Sequence, residues 1–389
     1  MLELLFLLLP VAAGYGWVMG RNSVRQAQRK QSSILSRHYY KGLNFLLSDE
    51  PDKAVDTLIK MIDLDNDTVE THIAMGKFFR HRGELDRAIR VHQNLVSKEQ
   101  ISGTQRESAL KELGRDYVLA GFLERAENAF LQLLNSSKHY VDAQWQLFNI
   151  YQTTKEWERA IELAENMMGN HGDSDELYTR IAHFYCEQAN IELSKKDFES
   201  AEKNLQKAIM SDEHGVRPWL MLGQMAIAQG QYQQAIEYLK QVPERDISWF
   251  SEAVPLLESC TESLNDWQQL EEILEQYWQQ CATAYLAKVK LMARRGESVE
   301  AADVLLQQLR VHPTMKGFKT LMGLYIEQKQ QQQSTDSLVL LKELVEEQIK
   351  QRPKYRCHSC GFSGSQIHWL CPSCKKWGMV KPIKGLDGE

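Results

Sequence analysis

The sequence predicts an all-α protein whose main part is a solenoid of about nine helical hairpins, with an N-terminal transmembrane helix and a small C-terminal metal-binding module. Three observations support this: motifs recur at intervals near 34 residues, the first 20 residues are apolar, and two Cys-x-x-Cys pairs lie near the other end. With 389 residues, the chain is too long for one compact core. We expect an anchor (1–20), a basic juxtamembrane segment (21–34), the hairpin array (35–350) and a module with tail (351–389).

The hairpin array is indicated by recurring small residues. The alanines that recur are Ala54, Ala88, Ala126, Ala160, Ala201, Ala235 and Ala301. Their spacings are 34, 38, 34, 41, 34 and 66, the last being close to two units, and the pattern is weak around 245–281 and 315–348. A small residue is needed where two helices cross closely, and one hairpin cannot bury its apolar face alone, so the units stack. This period is typical of tetratricopeptide repeats, which usually recognise peptides or proteins.

The amino-terminal segment is predicted to span a membrane once. It is apolar from Leu4 to Met19, at the short edge of what a spanning helix needs. A signal peptide would carry positive charge before the apolar run, whereas here the basic residues follow it. Tyr15 and Trp17 suit the interface, and the positive-inside rule places the bulk of the chain in the cytoplasm. The basic stretch that follows is expected to contact anionic lipid; its alternative is a solvated linker.

Charge and cysteine content restrict the function classes. The net charge is -6, but the two ends are basic and the middle is acidic, which disfavours nucleic acid as a partner of the array. Of seven cysteines, three are scattered through helical surroundings. This usage fits a reducing compartment, with Cys186, Cys260 and Cys281 expected to be buried as small apolar residues.

Two Cys-x-x-Cys pairs separated by ten residues predict a metal site. The four predicted ligands are Cys357, Cys360, Cys371 and Cys374. Gly361 suits the positive φ that such a turn often needs, and Pro372 fixes the turn of the second pair. Four thiolates in a tetrahedron match one zinc or one iron ion, as in a zinc ribbon or a rubredoxin-type knuckle pair. The sequence therefore predicts one metal ion and leaves its identity open.

The rest of the module bears on what the metal does. Its core is expected to come from four aromatic residues, namely Tyr355, Phe362, Trp369 and Trp377, so the metal must do much of the folding. Four thiolates saturate the ion, so His358 and His368 are predicted to be non-ligands, and no position is left for catalytic water. No phosphate loop, His-Glu-x-x-His motif or nucleophile elbow occurs, so we predict no catalytic residues and no enzyme. Because no linker precedes the module, we expect it to pack against the last repeats.

Two alternatives remain open from the residues alone. An iron ion would allow electron transfer, as in a rubredoxin. The basic, aromatic module also suits nucleic-acid binding, although the acidic array makes this the weakest choice.

The order of anchor, repeats and four-cysteine module resembles the lipopolysaccharide assembly protein B family of Gram-negative bacteria. The resemblance spans the chain and is carried by MLELLFLLLPVAAGYGW, HRGELDRAIRVHQNL, IAHFYCE, HPTMKGF, RPKYRCHSCGF, WLCPSC and KPIKGLDG. It implies a non-enzymatic, single-pass inner-membrane adaptor that regulates lipopolysaccharide synthesis and binds metal through the four cysteines.

The partners are implied by the resemblance alone. They are a membrane ATP-dependent zinc protease, the lipid A-committing deacetylase that it degrades, and an inner-membrane protein that senses lipopolysaccharide. A membrane-tethered scaffold for lipopolysaccharide assembly enzymes is the alternative. Whether the chain forms a homodimer is left open.

Overall fold

The computed structural model describes residues 15–21, 23, 45, 53, 57, 69–99, 101–171, 175–329 and 336–389. Between residues 69 and 351 these form sixteen α-helices, which are arranged as eight successive pairs. The helices are α1 Val69–His81, α2 Leu85–Ser97, α3 Gly103–Ala120, α4 Leu123–Leu133, α5 Tyr140–Thr154, α6 Trp157–His171, α7 Asp175–Ser194, α8 Phe198–Ser211, α9 Arg217–Ala228, α10 Tyr232–Arg245, α11 Phe250–Leu264, α12 Trp267–Tyr277, α13 Ala282–Arg294, α14 Ser298–Val311, α15 Met315–Lys329 and α16 Asp336–Gln351. The predicted helical array is therefore confirmed, and the predicted first hairpin around Ala54 lies outside the described residues.

The recurring alanines lie at equivalent places in the fold. Within the described residues, each is the fourth residue of the second helix of a pair and is completely buried, as for Ala88 in α2 and Ala235 in α10. A glycine on the first helix makes room for the side chain one turn further along the second helix. An added Cβ at Gly114 would lie 2.7 Å from the Phe130 ring, and one at Gly223 would lie 2.6 Å from Leu239. Helix crossing is thus close because both helices carry a small residue there.

The irregular spacings have structural causes. At the position where six of the other pairs have alanine, the α11/α12 pair has Leu270, which is also completely buried. That substitution explains why Ala235 and Ala301 are separated by about two units. The longer spacings correspond to long first helices, since α3 has 18 residues and α7 has 20.

The helices belong to two compact units, Met1–Leu163 and Ala164–Glu389. The second unit also contains a small antiparallel sheet with the strand order β2-β1-β3. Its strands are β1 Tyr355–Cys357, β2 Ser363–Gly364 and β3 Val380–Pro382. In the register of this sheet, Tyr355 pairs with Gly364 on one side and with Pro382 on the other.

The predicted membrane anchor falls largely outside the described residues. Residues 15–21 are helical, with Tyr15 and Trp17 exposed, whereas residues 1–14 are not among those described. Within the parts of the chain that the structure describes, no helix is both long enough and apolar enough to cross a membrane.

Candidate metal centre and the surface that holds it

Two equivalent turns position the four cysteines. In the first, the N–H of Gly361 donates to the Cys357 carbonyl over 2.9 Å; in the second, the N–H of Lys375 donates to the Cys371 carbonyl over 3.0 Å. The residue after each pair has a left-handed backbone, with φ of 78° at Gly361 and 57° at Lys375. The sequence predicted the glycine. It did not predict the positive φ of Lys375, because lysine, unlike glycine, does not mark such a backbone conformation in a sequence.

The sulfur atoms of the four cysteines form a compact cluster. All four Sγ atoms lie within 4.8 Å of one another, and the Cys357–Cys374 and Cys360–Cys371 pairs are each 3.7 Å apart. A tetrahedral ion with metal–sulfur bonds of about 2.3 Å requires sulfur–sulfur edges of roughly 3.8 Å. The cluster therefore fits one zinc or one iron ion bound by four thiolates. His358 and His368 are not part of this cluster.

The environments of two ligands differ. A hydrogen bond from the backbone of Phe362 lowers the pKa of Cys360 to about 6, whereas desolvation raises the pKa of Cys371 to about 11. Cys360 is exposed and Cys371 is completely buried. A bound cation stabilises the thiolate form of both, so metal binding displaces protons from the site.

The core of the module differs from the one predicted. Its buried residues are Tyr355, Cys357, Cys371 and Val380, with Phe362 packed at the edge. Trp369 and Trp377 instead pack against the helical pairs. The prediction that all four aromatic residues fill the module was wrong for these two, because the ligand cysteines and a strand valine already occupy its small interior.

The two tryptophans are stacked on residues of the helices. Trp369 lies on Trp249, with ring centroids 4.4 Å apart and an interplanar angle of 19°. Trp377 stacks on His183 of α7 with centroids 4.7 Å apart. The Arg217 guanidinium of α9 lies over both module rings, at 5.5 Å and 5.9 Å from their centroids. Such stacked and cation–π contacts fix the orientation of the module as well as burying apolar area.

Three of these groups are almost fully shielded from water. Trp249 is 3% exposed, Trp377 6% and Arg217 3%. Burial, together with the charge of Arg217, holds the pKa of His183 well below its usual value. His183 is therefore a neutral ring in the docked state.

Two polar contacts complete the docking. The Tyr355 hydroxyl donates to Glu252 of α11 over 2.7 Å, and the Lys381 ammonium donates to Asp246 over 2.7 Å. Asp246 also accepts from the N–H of Ser248, so one carboxylate caps the short 3₁₀ turn Ile247–Trp249 and binds the module. Burial opposes the ionisation of Asp246, but the bonds from Lys381 and Ser248 outweigh it and keep its pKa below the usual value.

The position of the module on the repeats differs from the prediction. The expectation was packing against the last repeats. The module contacts α7, α9, the α10–α11 junction and α11, while residues after Pro382 reach α13 and α15. Five of these helices are the first helices of successive pairs: α7, α9, α11, α13 and α15. The module therefore covers the first-helix face of the second unit, because its partners His183, Arg217 and Glu252 lie on successive first helices.

A second buried polar cluster lies in the first unit, and no sequence pattern predicted it. Asp116 is completely buried and accepts from His92 over 2.5 Å and from Arg80 over 2.9 Å. Arg80 also donates to Glu112 over 2.6 Å. His92 occupies the position that Phe130 and Leu239 hold in other pairs, one turn after the small alanine. The cluster links α1, α2 and α3 through charge-assisted hydrogen bonds.

Known protein families match both the metal centre and the repeats. Residues 355–382 match the rubredoxin metal-binding domain family, and residues 192–246 match the tetratricopeptide repeat family. A protein of Escherichia coli strain K12, lipopolysaccharide assembly protein B, is 40% identical over 390 residues and covers 100% of both chains. The chain belongs to the lipopolysaccharide assembly protein B family.

Two further similarities were found. The lipopolysaccharide assembly protein B of Haemophilus influenzae is 36% identical over 400 residues, again with 100% of both chains covered. A crystal structure of the MamA protein is similar over 48% of this chain and 95% of its own, with 17% sequence identity and a TM-score of 0.35. Lipopolysaccharide assembly protein B family membership thus rests on full-length sequence identity, and the rubredoxin-type family match covers all four cysteines.

Proposed function

We propose that the chain is a non-enzymatic inner-membrane adaptor that regulates lipopolysaccharide synthesis. In this proposal it presents the lipid A-committing deacetylase to a membrane-bound ATP-dependent zinc protease, and a lipopolysaccharide-sensing membrane protein opposes it. The family name supports a role in lipopolysaccharide assembly or regulation. Scaffolding of lipopolysaccharide assembly enzymes is the related alternative under the same name.

The proposal rests mainly on one observation: the metal module has a closed ligand set and is packed onto the helices. Its four thiolates saturate one ion, so no coordination position is left for a reacting water. Trp377 is buried and Trp369 is partly buried against α7, α9 and the α10–α11 junction, so the module is fixed on the repeats. A fixed module with a closed metal site supports a binding surface better than a catalytic centre.

The membrane anchor is part of the proposal. It is supported by the apolar run from Leu4 to Met19 and by the basic residues that follow. A membrane tether would confine the repeats near a membrane protease and raise their effective concentration there. Cell fractionation with protease accessibility tests this part: we expect membrane association with the helical pairs on the cytoplasmic side.

The function is tested by depletion of the protein in cells, following deacetylase level and lipopolysaccharide amount. We expect both to rise, and no change in either would overturn the proposal. Complementation then separates the roles of the module. Cys371→Ser should fail to restore deacetylase turnover, whereas Ser365→Ala, which changes an exposed residue of the same loop, should restore it.

The electron-transfer alternative is favoured by the rubredoxin match and is tested directly. An iron-loaded protein would be red and show a reversible one-electron couple, whereas a zinc-loaded protein is colourless. A colourless, active protein would exclude electron transfer as the function.

A further inference from the structure

Residues 384–389, here called the clasp segment, hold a carboxylate against the second unit. The side chain of Glu389 accepts from the N–H of Thr283 over 2.9 Å and from the Thr283 hydroxyl over 2.7 Å. It also accepts from the ammonium of Lys316 over 2.5 Å. Thr283 is the second residue of α13, so an N–H that α13 itself leaves without a partner binds this carboxylate.

The carboxylate of Glu389 lies in a largely buried site with several polar partners. The Glu389 side chain is only 9% exposed, and the thiol of Cys281 lies 3.6 Å from its second oxygen. Burial opposes ionisation of Glu389, but the charge of Lys316 and the donors of Thr283 outweigh it and keep its pKa below the usual value. Two elements therefore converge on one anionic group: the start of α13 and the first turn of α15.

A cavity of about 380 Å³ lies directly beside the carboxylate. Its walls are largely apolar and include Trp278, Tyr285, Leu305 and Leu309. The clasp segment forms one side of the cavity but leaves Leu386 half exposed. A cavity of this size with a few converging polar groups is typical of a ligand site.

The remaining attachments of the clasp segment are few. The N–H of Met315 donates to the Leu386 carbonyl over 2.9 Å, and Arg352 pairs with Asp387 between two exposed side chains. Exposed pairs contribute little to stability, so Glu389 provides the main attachment. A competing carboxylate could therefore replace it.

We propose that Thr283, Lys316 and the adjoining cavity form a binding site for an acidic peptide segment of a partner protein, and that Glu389 occupies this site in cis. The partner segment supplies a carboxylate to Thr283 and Lys316, and a neighbouring apolar side chain enters the cavity. The clasp segment competes with it, so the site is available only when the clasp segment is displaced. This inference is independent of which proteins the adaptor serves.

The test uses the full chain in detergent and a fluorescent peptide IKGLDGE, the sequence of residues 383–389, with an amidated end. Glu389→Gln weakens the competitor in cis, so we expect this variant to bind the peptide about tenfold more tightly than the parent chain. Adding Lys316→Met to Glu389→Gln removes the cation, and binding should fall about tenfold again. The peptide IKGLDGQ should bind Glu389→Gln as weakly as the double variant binds IKGLDGE.

Metal content and thermal unfolding of each variant establish that the fold is retained. Glu347→Gln, an exposed charge change on α16, serves as the matched control and should behave as the parent chain does. Equal binding to the parent and to Glu389→Gln would overturn the proposal, as would no binding to either. Binding that is insensitive to Lys316→Met would also overturn it.

Discussion

The two compact units are built from helical pairs of the same kind, but different contacts hold those pairs together. In the first unit, α1, α2 and α3 are joined by buried hydrogen bonds and ion pairs among Arg80, His92, Glu112 and Asp116. In the second unit, a metal-binding module lies across the first helices and is held by stacked rings. In the first unit, the contacts that fix the helix arrangement therefore lie within the repeats. In the second unit, a separately folded module supplies part of them.

This difference predicts different sensitivities. A buried ion network fails locally when one partner is removed, because the remaining charges lose their compensation. A module folded by metal fails as a whole, because its small core cannot hold it without the ion.

Loss of one metal ligand should unfold the module. Cys371 is completely buried among the ligands, and structural zinc contributes on the order of 10 kcal/mol to such folds. We expect Cys371→Ser to lose the bound ion and to become sensitive to protease after residue 351. Elemental analysis and limited proteolysis measure this, with Ser365→Ala as the control. One ion per chain in Cys371→Ser would contradict the account.

Loss of the buried carboxylate should destabilise only the first unit. Asp116→Asn leaves His92 without its anionic partner and removes one partner of Arg80, which should cost about 3 kcal/mol or more. Urea unfolding monitored by hydrogen exchange in α1–α3 measures the loss, and metal content should not change. Glu199→Gln, at an exposed pair on α8, is the control and should match the parent chain. A loss under about 1 kcal/mol would show that the network contributes no specific stability.

Removal of one docking ring should separate docking from metal binding. Trp369→Ala removes the stack on Trp249 and the contact with Arg217, which should weaken docking by about 3 kcal/mol while the ion stays bound. Elemental analysis with hydrogen exchange around Trp249 distinguishes the two properties. His368→Ala, at the preceding position, is the control. If Trp369→Ala lost its metal, the module would depend on docking in order to fold.

Docking should weaken in mild acid through His183. Burial keeps the pKa of His183 well below 6.5, so the undocked ring takes up protons that the docked ring does not. Stability is therefore fully present above pH 6.5 and decreases as the pH falls below that value. At pH 5.5 the opening equilibrium should increase about tenfold relative to neutral pH. Hydrogen exchange at both pH values measures this, and a His183→Gln variant should show a smaller change.

Sequence patterns could predict the repeats because their cause is local. Ala88 and Ala235 sit where two helices cross, and only small residues fit there, so the period is visible in the sequence. The cysteine pairs are equally local, since each turn brings two thiolates to one ion. Gly361 was correctly predicted to have positive φ.

The docking surface could not be predicted because it depends on residues far apart in sequence. Trp249 and Trp369 are stacked although 120 positions separate them, and nothing in either local pattern indicates the pairing. His92 stands where Phe130 and Leu239 lie in other pairs, and its partner Asp116 lies in the next pair. These contacts form only once the chain has folded, and no periodic pattern in the sequence marks them.

The central claim is that metal folds a module that stabilises the first-helix face of the second unit. Hydrogen exchange of the full chain, before and after removal of the metal by a chelator, tests it most directly. We predict loss of protection in residues 355–382 and also at Ser248 and Thr283, whose N–H groups are bonded at the docking surface, with α1–α4 unchanged. Loss confined to residues 355–382, or equal loss in α1–α4, would contradict the claim.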